Sequence, residues 1–163
     1  MDFTVGGLRQ RGFSGFVSLS ATAASAIPSA GGVYAIVRPA LTQPTFLAVS
    51  VAVRAARRDP SVSIAELERS WVLGTPTIYV GKAAIGRGGA GGLRRRIGQF
   101  RRFGAASSSA HWGGRYIWQL TDHADLLVAW RVTAPEDPRL VESRLLDRFS
   151  CRYGTLPFAN LTR

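Results

Sequence analysis

The chain is short of several residue types, and each shortage removes a class of function. Cys151 is the only cysteine in 163 residues. One thiol can form neither an intramolecular disulfide nor a cysteine-based zinc site, so the sequence reads as that of a reducing, cytoplasmic compartment, with a buried, inert cysteine. Histidine occurs twice, at His111 and His123. No apolar run approaches the ~18 residues of a membrane span. The early stretch "FSGFVSLSATAASA" holds too much serine and threonine for the apolar core of a secretion signal. Acids number 10 against 21 bases. Lysine is almost missing as well: Lys82 stands alone, and every other base is arginine.

What remains is a basic, core-forming chain. Hydrophobic residues make up 46%, enough to exclude a disordered chain. The length suits one domain, residues 1–163. A formal net charge of +11 favours a polyanionic partner, nucleic acid or an anionic membrane surface.

The pattern along the chain is mixed. Residues 1–30 are rich in Gly, Ser and Ala, with room for a short helix over 19–27 before Pro28. "GGVYAIVR" at 31–38 reads as a strand, as do "PTIYVGK" at 76–82, "RYIWQL" at 115–120 and "LLVAWRV" at 126–132. "TFLAVSVAV" at 45–53 suits a strand or the start of a helix. Helices are expected in "SIAELERSWVL" with Ser63 as its cap, in "GLRRRIGQFRRF", and in "DPRLVESRLLDRF" with Pro138 in its first turn. Strands with flanking helices indicate a small α+β layer structure. Residues 39–76 read as an insertion between the first two core strands.

Two helices carry charges where apolar residues belong. At about 100° per residue, Leu93, Ile97, Phe100 and Phe103 form one stripe, and Arg96 falls between the two phenylalanines. Arg94, Arg95, Arg101 and Arg102 fall outside the stripe. In the C-terminal helix Glu142 lies inside the arc of Val141, Leu145, Leu146 and Phe149. A charge on a packed face needs a partner. Arg96 and Glu142 could pair with one another. Alternatively Arg96 could clamp a phosphate and Glu142 hold one hydrated Mg²⁺.

The glycine-rich loop "AAIGRGGAGG" at 83–92 is not a P-loop. Pro76 stands where that motif needs glycine, and Ala83 where it needs a hydroxyl. Gly86, Gly88 and Gly91 match G-x-G-x-x-G, but no acid follows at the distance a dinucleotide site needs.

Five elements together resemble the GIY-YIG nuclease family. They are "GVY" at 32–34, "YVG" at 79–81, "LRRRIGQF" at 93–100, "VESRLLDRF" at 141–149 and "PFANL" at 157–161, in the family's order. The resemblance spans about 31–161. "YVGKA" is similar to the incision-nuclease domain of nucleotide excision repair, and the whole pattern to stand-alone bacterial members, with restriction-type nucleases as relatives. It implies a small three-stranded antiparallel sheet, open to extension and flanked by helices. It also implies a DNA endonuclease that hydrolyses phosphodiesters with Mg²⁺ (or Mn²⁺). The implied site residues are Tyr34, Tyr79, Lys82, Arg96, Glu142 as the metal ligand, and Asn160, with Arg94, Arg95, Arg101 and Arg102 on the DNA backbone. Tyr34 would be the base if nearby cations lowered its pKa. Many members carry His or Tyr where this chain has Phe100, which moves a proton-transfer duty to His111 or Tyr116. One site per chain would need a homodimer, or two visits, to cut both strands. The alternative is a nucleic-acid-binding module on a decayed nuclease fold.

Overall fold

The computed structural model describes residues 2–21, 23–54, 59–86, 89, 91–105 and 114–162. Four antiparallel strands form one sheet: β1 (Ser14–Ser18), β2 (Gly32–Val37), β3 (Thr77–Ala83) and β4 (Leu127–Val132), in the order β1-β4-β2-β3. The sheet has four strands rather than the expected three. The added β1 lies in the weakly patterned N-terminal stretch. Its pairing with β4 slips between Gly15 and Val17, where Phe16 takes a φ of 53°. That bulge breaks the alternation by which a strand is read from sequence.

β2 is buried along its whole length, as a central strand of β-branched and aromatic residues should be. Its pairing with β3 sets Tyr34 opposite Gly81 and Ile36 opposite Tyr79. The two tyrosines of the "GVY" and "YVG" stretches therefore share a face.

Helices cover both faces. α3 (Gly92–Gly104) buries Leu93, Ile97, Phe100 and Phe103 against the face that carries Tyr34, Ile36 and Tyr79. α4 (Pro138–Tyr153) buries Val141, Leu145, Leu146 and Phe149 on the opposite face, against Val33, Ala35 and Val80. A short α1 (Val5–Arg9), not foreseen from its two glycines, adds Leu8 there. Both long helices start as their sequences dictate. Asp137 caps α4 by accepting from the Arg139 N–H at 2.8 Å, with Pro138 in the first turn. Gly92 begins α3 at a φ of 76°, and a Cβ there would meet the Ser29 carbonyl oxygen at 1.9 Å.

Among the described residues of 39–76, Val72 joins the α4 face and the other apolar packing is on the α3 face. Ala52 and Leu67 are buried there, with Phe46, Val62 and Trp71 packed alongside. α2 (Ile64–Ser70) is capped by Ser63, as its sequence indicates. The stretch 45–53 is neither strand nor α-helix: Phe46 makes one isolated bridge and 51–54 form a 3-10 turn. Residues 24–26 are likewise a 3-10 turn where a short helix was expected.

"RYIWQL" is not a strand. Arg115–Gln119 form a 3-10 helix that starts from Gly114 at a φ of 83°. β4 already has β1 and β2 on its two edges, so no edge is left for it. Gln119 is instead buried and ties the 39–76 segment down. Its amide donates to the carbonyls of Leu47 and Val62 and accepts from the Val62 N–H. Among the described residues, no helix is long and apolar enough to cross a membrane.

Candidate active site

β3 is an edge strand, and its side chains alternate between two layers. Tyr79 points to the α3 side and Lys82 to the α4 side. A cleft of about 160 Å³ opens around this edge, lined by Tyr79, Lys82, Arg96, Glu142 and Asn160. Four separate stretches of sequence meet there.

Glu142 is 8% exposed. Its partner is Lys82, whose ammonium donates to Oε2. The pairing with Arg96 allowed by the sequence is not made, because α3 and α4 pack on opposite faces of the sheet. Arg96 and Glu142 therefore lie over opposite faces of the sheet. They line one cleft from two sides of β3. The Lys82 side chain is 41% exposed and that of Glu142 11%, so the lysine can move into solvent while the carboxylate is held.

Tyr34 lies behind Tyr79. It is fully buried, its ring centroid is 5.9 Å from that of Tyr79, and its hydroxyl has no hydrogen-bond partner among the described residues. Burial pushes its phenol well above the ordinary tyrosine range, with Tyr79 adding to the rise and Arg96 opposing it. Burial raises the Tyr79 phenol too. The lowering of the Tyr34 pKa that a base would need is reversed, since desolvation outweighs the guanidinium. Gly81 has a use not seen in the sequence. A Cβ there would lie 2.7 Å from Cζ of Tyr34, so the glycine of "YVG" makes room for the tyrosine of "GVY".

Phe100 fills the space beside both tyrosines. Its ring stacks on Tyr79 at 5.5 Å and meets Tyr34 edge-on at 6.3 Å. Tyr116 is not in the cleft: its hydroxyl donates to Glu66, and its ring packs on Phe158. His111 lies outside the described residues. His123 is half-buried against the Trp118 ring, away from the cleft.

Asn160 holds the edge of β3. Its Nδ2 donates to the Val80 carbonyl at 2.8 Å and its Oδ1 accepts from the Val80 N–H at 2.9 Å, while the Ala159 N–H donates to Ile78 at 2.9 Å. The side-chain amide thus pairs with the strand as a backbone neighbour would.

A second cleft of about 330 Å³ shares Lys82 and Arg96 with the first and adds Arg95, Gln99 and Arg139. Arg139 is a site residue that the sequence reading missed. It sits three residues before Glu142, so the same helical wheel could have found it. Arg95 is exposed here, as expected. Arg94, Arg101 and Arg102 line neither cleft, and Arg94 Nε donates to the Ile27 carbonyl at 2.8 Å. The start of α3 does not cradle an anion. Its N–H groups at 92, 93 and 94 donate to the carbonyls of Ala84, Ala30 and Pro28. Cys151 is exposed rather than buried.

Among the described residues, no three His, Cys, Asp or Glu side chains gather as a metal cage. Glu142 is the one carboxylate lining either cleft. That donor set fits a single Mg²⁺ that keeps most of its waters and shares phosphate oxygens, and it fits no fully protein-bound ion.

No protein-family model, curated protein or solved structure matches the chain. The cleft's own chemistry is then the ground for a functional reading. It offers two cations, one carboxylate and one protonated phenol around a space open to solvent, with a second phenol buried behind.

Proposed function

We propose that the chain is a metal-dependent DNA endonuclease of the GIY-YIG kind, hydrolysing phosphodiesters at one site per chain. The observation that carries this reading is the convergence of Tyr79, Lys82, Arg96 and Glu142 in one cleft, with Tyr34 directly behind.

Lys82 and Arg96 are poised for the non-bridging oxygens of a phosphate, where negative charge grows during in-line attack. Binding the phosphate draws Lys82 away from Glu142, and the freed carboxylate would hold Mg²⁺ (or Mn²⁺). The ion supplies Lewis-acid stabilisation of the phosphate and the leaving oxygen when bound. Tyr79 keeps its proton near neutral pH and donates it in a hydrogen bond to phosphate or water. Tyr34 acts through Tyr79, as a buried support rather than as a base, because its proton is held more tightly still. Asn160 fixes β3 and so the spacing of Tyr79 and Lys82. Arg95 and Arg139 extend the basic surface along the backbone.

Supercoiled plasmid incubated with wild type and with Glu142→Ala, each in Mg²⁺ or EDTA, tests the proposal. Nicking by wild type in Mg²⁺ alone, abolished by the substitution, is the expected result. Equal nicking by both proteins would sink the assignment.

One observation favours a second reading, a non-catalytic nucleic-acid-binding module. Phe100, which cannot transfer a proton, is fully buried against both tyrosines. That reading expects salt-sensitive DNA binding, no metal-dependent nicking and no effect of Glu142→Ala.

A further inference from the structure

A third cleft, of about 180 Å³, lies away from the candidate active site and is lined by Arg11, Arg131, Arg144 and Arg148 with a single carboxylate, Glu136. Three parts of the fold build it. Arg11 follows α1, Arg131 comes from β4, and Arg144 and Arg148 stand one turn apart on α4. A run of charge on one helix would be a solvated face. Guanidinium groups brought into one concavity from three elements repel one another unless an anion joins them.

The cleft does not supply that anion itself. Glu136 pairs with Arg144. No other carboxylate lines it, and Arg11, Arg131 and Arg148 make no ion pair with a described residue. Arg131 donates from Nη1 to the Arg11 carbonyl at 3.1 Å, which orients that guanidinium and ties the two elements together. Val141 and Leu145 complete the lining.

We infer that this cleft is a second site for a nucleic-acid backbone phosphate. Guanidinium forks match phosphate oxygens in pairs. The Arg144 side chain is 56% exposed, so the cleft is too open to enclose a small ligand, whereas sites for small molecules bury most of their ligand. A phosphate carried on a polymer needs no enclosure. Arg144 and Arg148 stand about 200° and 240° around α4 from Glu142. The cleft therefore contacts DNA on the flank of α4 opposite the candidate active site and anchors the polymer without touching the scissile bond. This inference rests on the proposed nucleic-acid partner but not on cleavage.

Fluorescence anisotropy of a labelled duplex at several salt concentrations tests it, with Arg148→Gln, Arg11→Gln/Arg148→Gln and, for equal charge change elsewhere, Arg69→Gln. Arg148→Gln should weaken binding at least about 3-fold more than Arg69→Gln and flatten the plot of log K against log salt by about one unit, and the double variant by about two. Arg148→Lys should recover part of the loss. Binding by wild type with Arg148→Gln no weaker than Arg69→Gln would overturn the second site alone. No binding by wild type would overturn both the site and the nucleic-acid partner.

Discussion

Tyr34 and Gly81 face each other across two strands, and each accounts for the other. The ring lies over the glycine, and the hydroxyl is buried without a partner. Burial holds that proton in the folded chain, whereas the unfolded phenol loses it near pH ~10. Above that pH the folded state binds more protons, so the stability linked to Tyr34 is whole below pH ~10 and falls as pH rises further. Tyr34→Phe removes this share. Its urea midpoint should drop less than that of wild type from about pH 9 to about pH 11, and parallel declines would show that the phenol is not linked to folding. Lys82 and Glu142 are unequal partners, the first far more exposed than the second. Lys82→Met leaves a buried carboxylate without a cation and should cost about 1–2 kcal/mol, a figure reduced for the exposure of the lysine. Glu142→Gln leaves a solvated ammonium and should cost less than about 1 kcal/mol. Chemical denaturation of both variants checks the order, and the reverse order would refute the asymmetry. At this scale the sequence carried much of the site. Charges inside apolar arcs marked Arg96 and Glu142, because a helical wheel reports which face a residue occupies. It does not report the neighbour across the fold, so Lys82 as the partner of Glu142 was not legible.

Edge strand β3 is the element on which the site depends. Its free side is covered by Asn160 and the Ala159 N–H, and its two faces carry α3 and α4. Asn160→Ala removes two hydrogen bonds to Val80 and should cost about 1–3 kcal/mol. Hydrogen exchange at the Val80 amide should quicken at least about 10-fold, and unchanged protection would show that the tail does not brace the strand. β2, β3 and β4 were readable as β-branched and aromatic runs, and α2, α3 and α4 because their apolar residues keep a period of 3.6 over several positions. β1 was not, since its bulge interrupts the period. Arg115–Gln119 misled for another reason. Four consecutive buried residues, Tyr116 to Gln119, have no period at all, and their apolar character fits a strand or a tight turn equally. Arg38 shows a further limit. It is buried, pairs with Asp122 at 2.7 Å and donates to the carbonyls of Ala40 and Thr42, a knot between the insertion and the sheet that no local pattern announces.

Across the whole molecule the formal net charge is +11, and 8 of the 21 bases line three clefts. Two basic clefts adjoin the β3 edge and a third lies on the far flank of α4; the first holds a buried carboxylate, Glu142, whereas that of the third, Glu136, is exposed and paired with Arg144. That difference separates binding from chemistry. The cleft of Tyr79, Lys82, Arg96 and Glu142 is proposed to cleave DNA, whereas charge alone would only bind it. The most direct measurement pairs duplex affinity with single-turnover cleavage in Mg²⁺, for wild type and Glu142→Gln on the same DNA. The account predicts affinity within about 3-fold of wild type and cleavage at least about 100-fold slower. Cleavage by Glu142→Gln at the wild-type rate, or none by either protein despite tight binding, would contradict it.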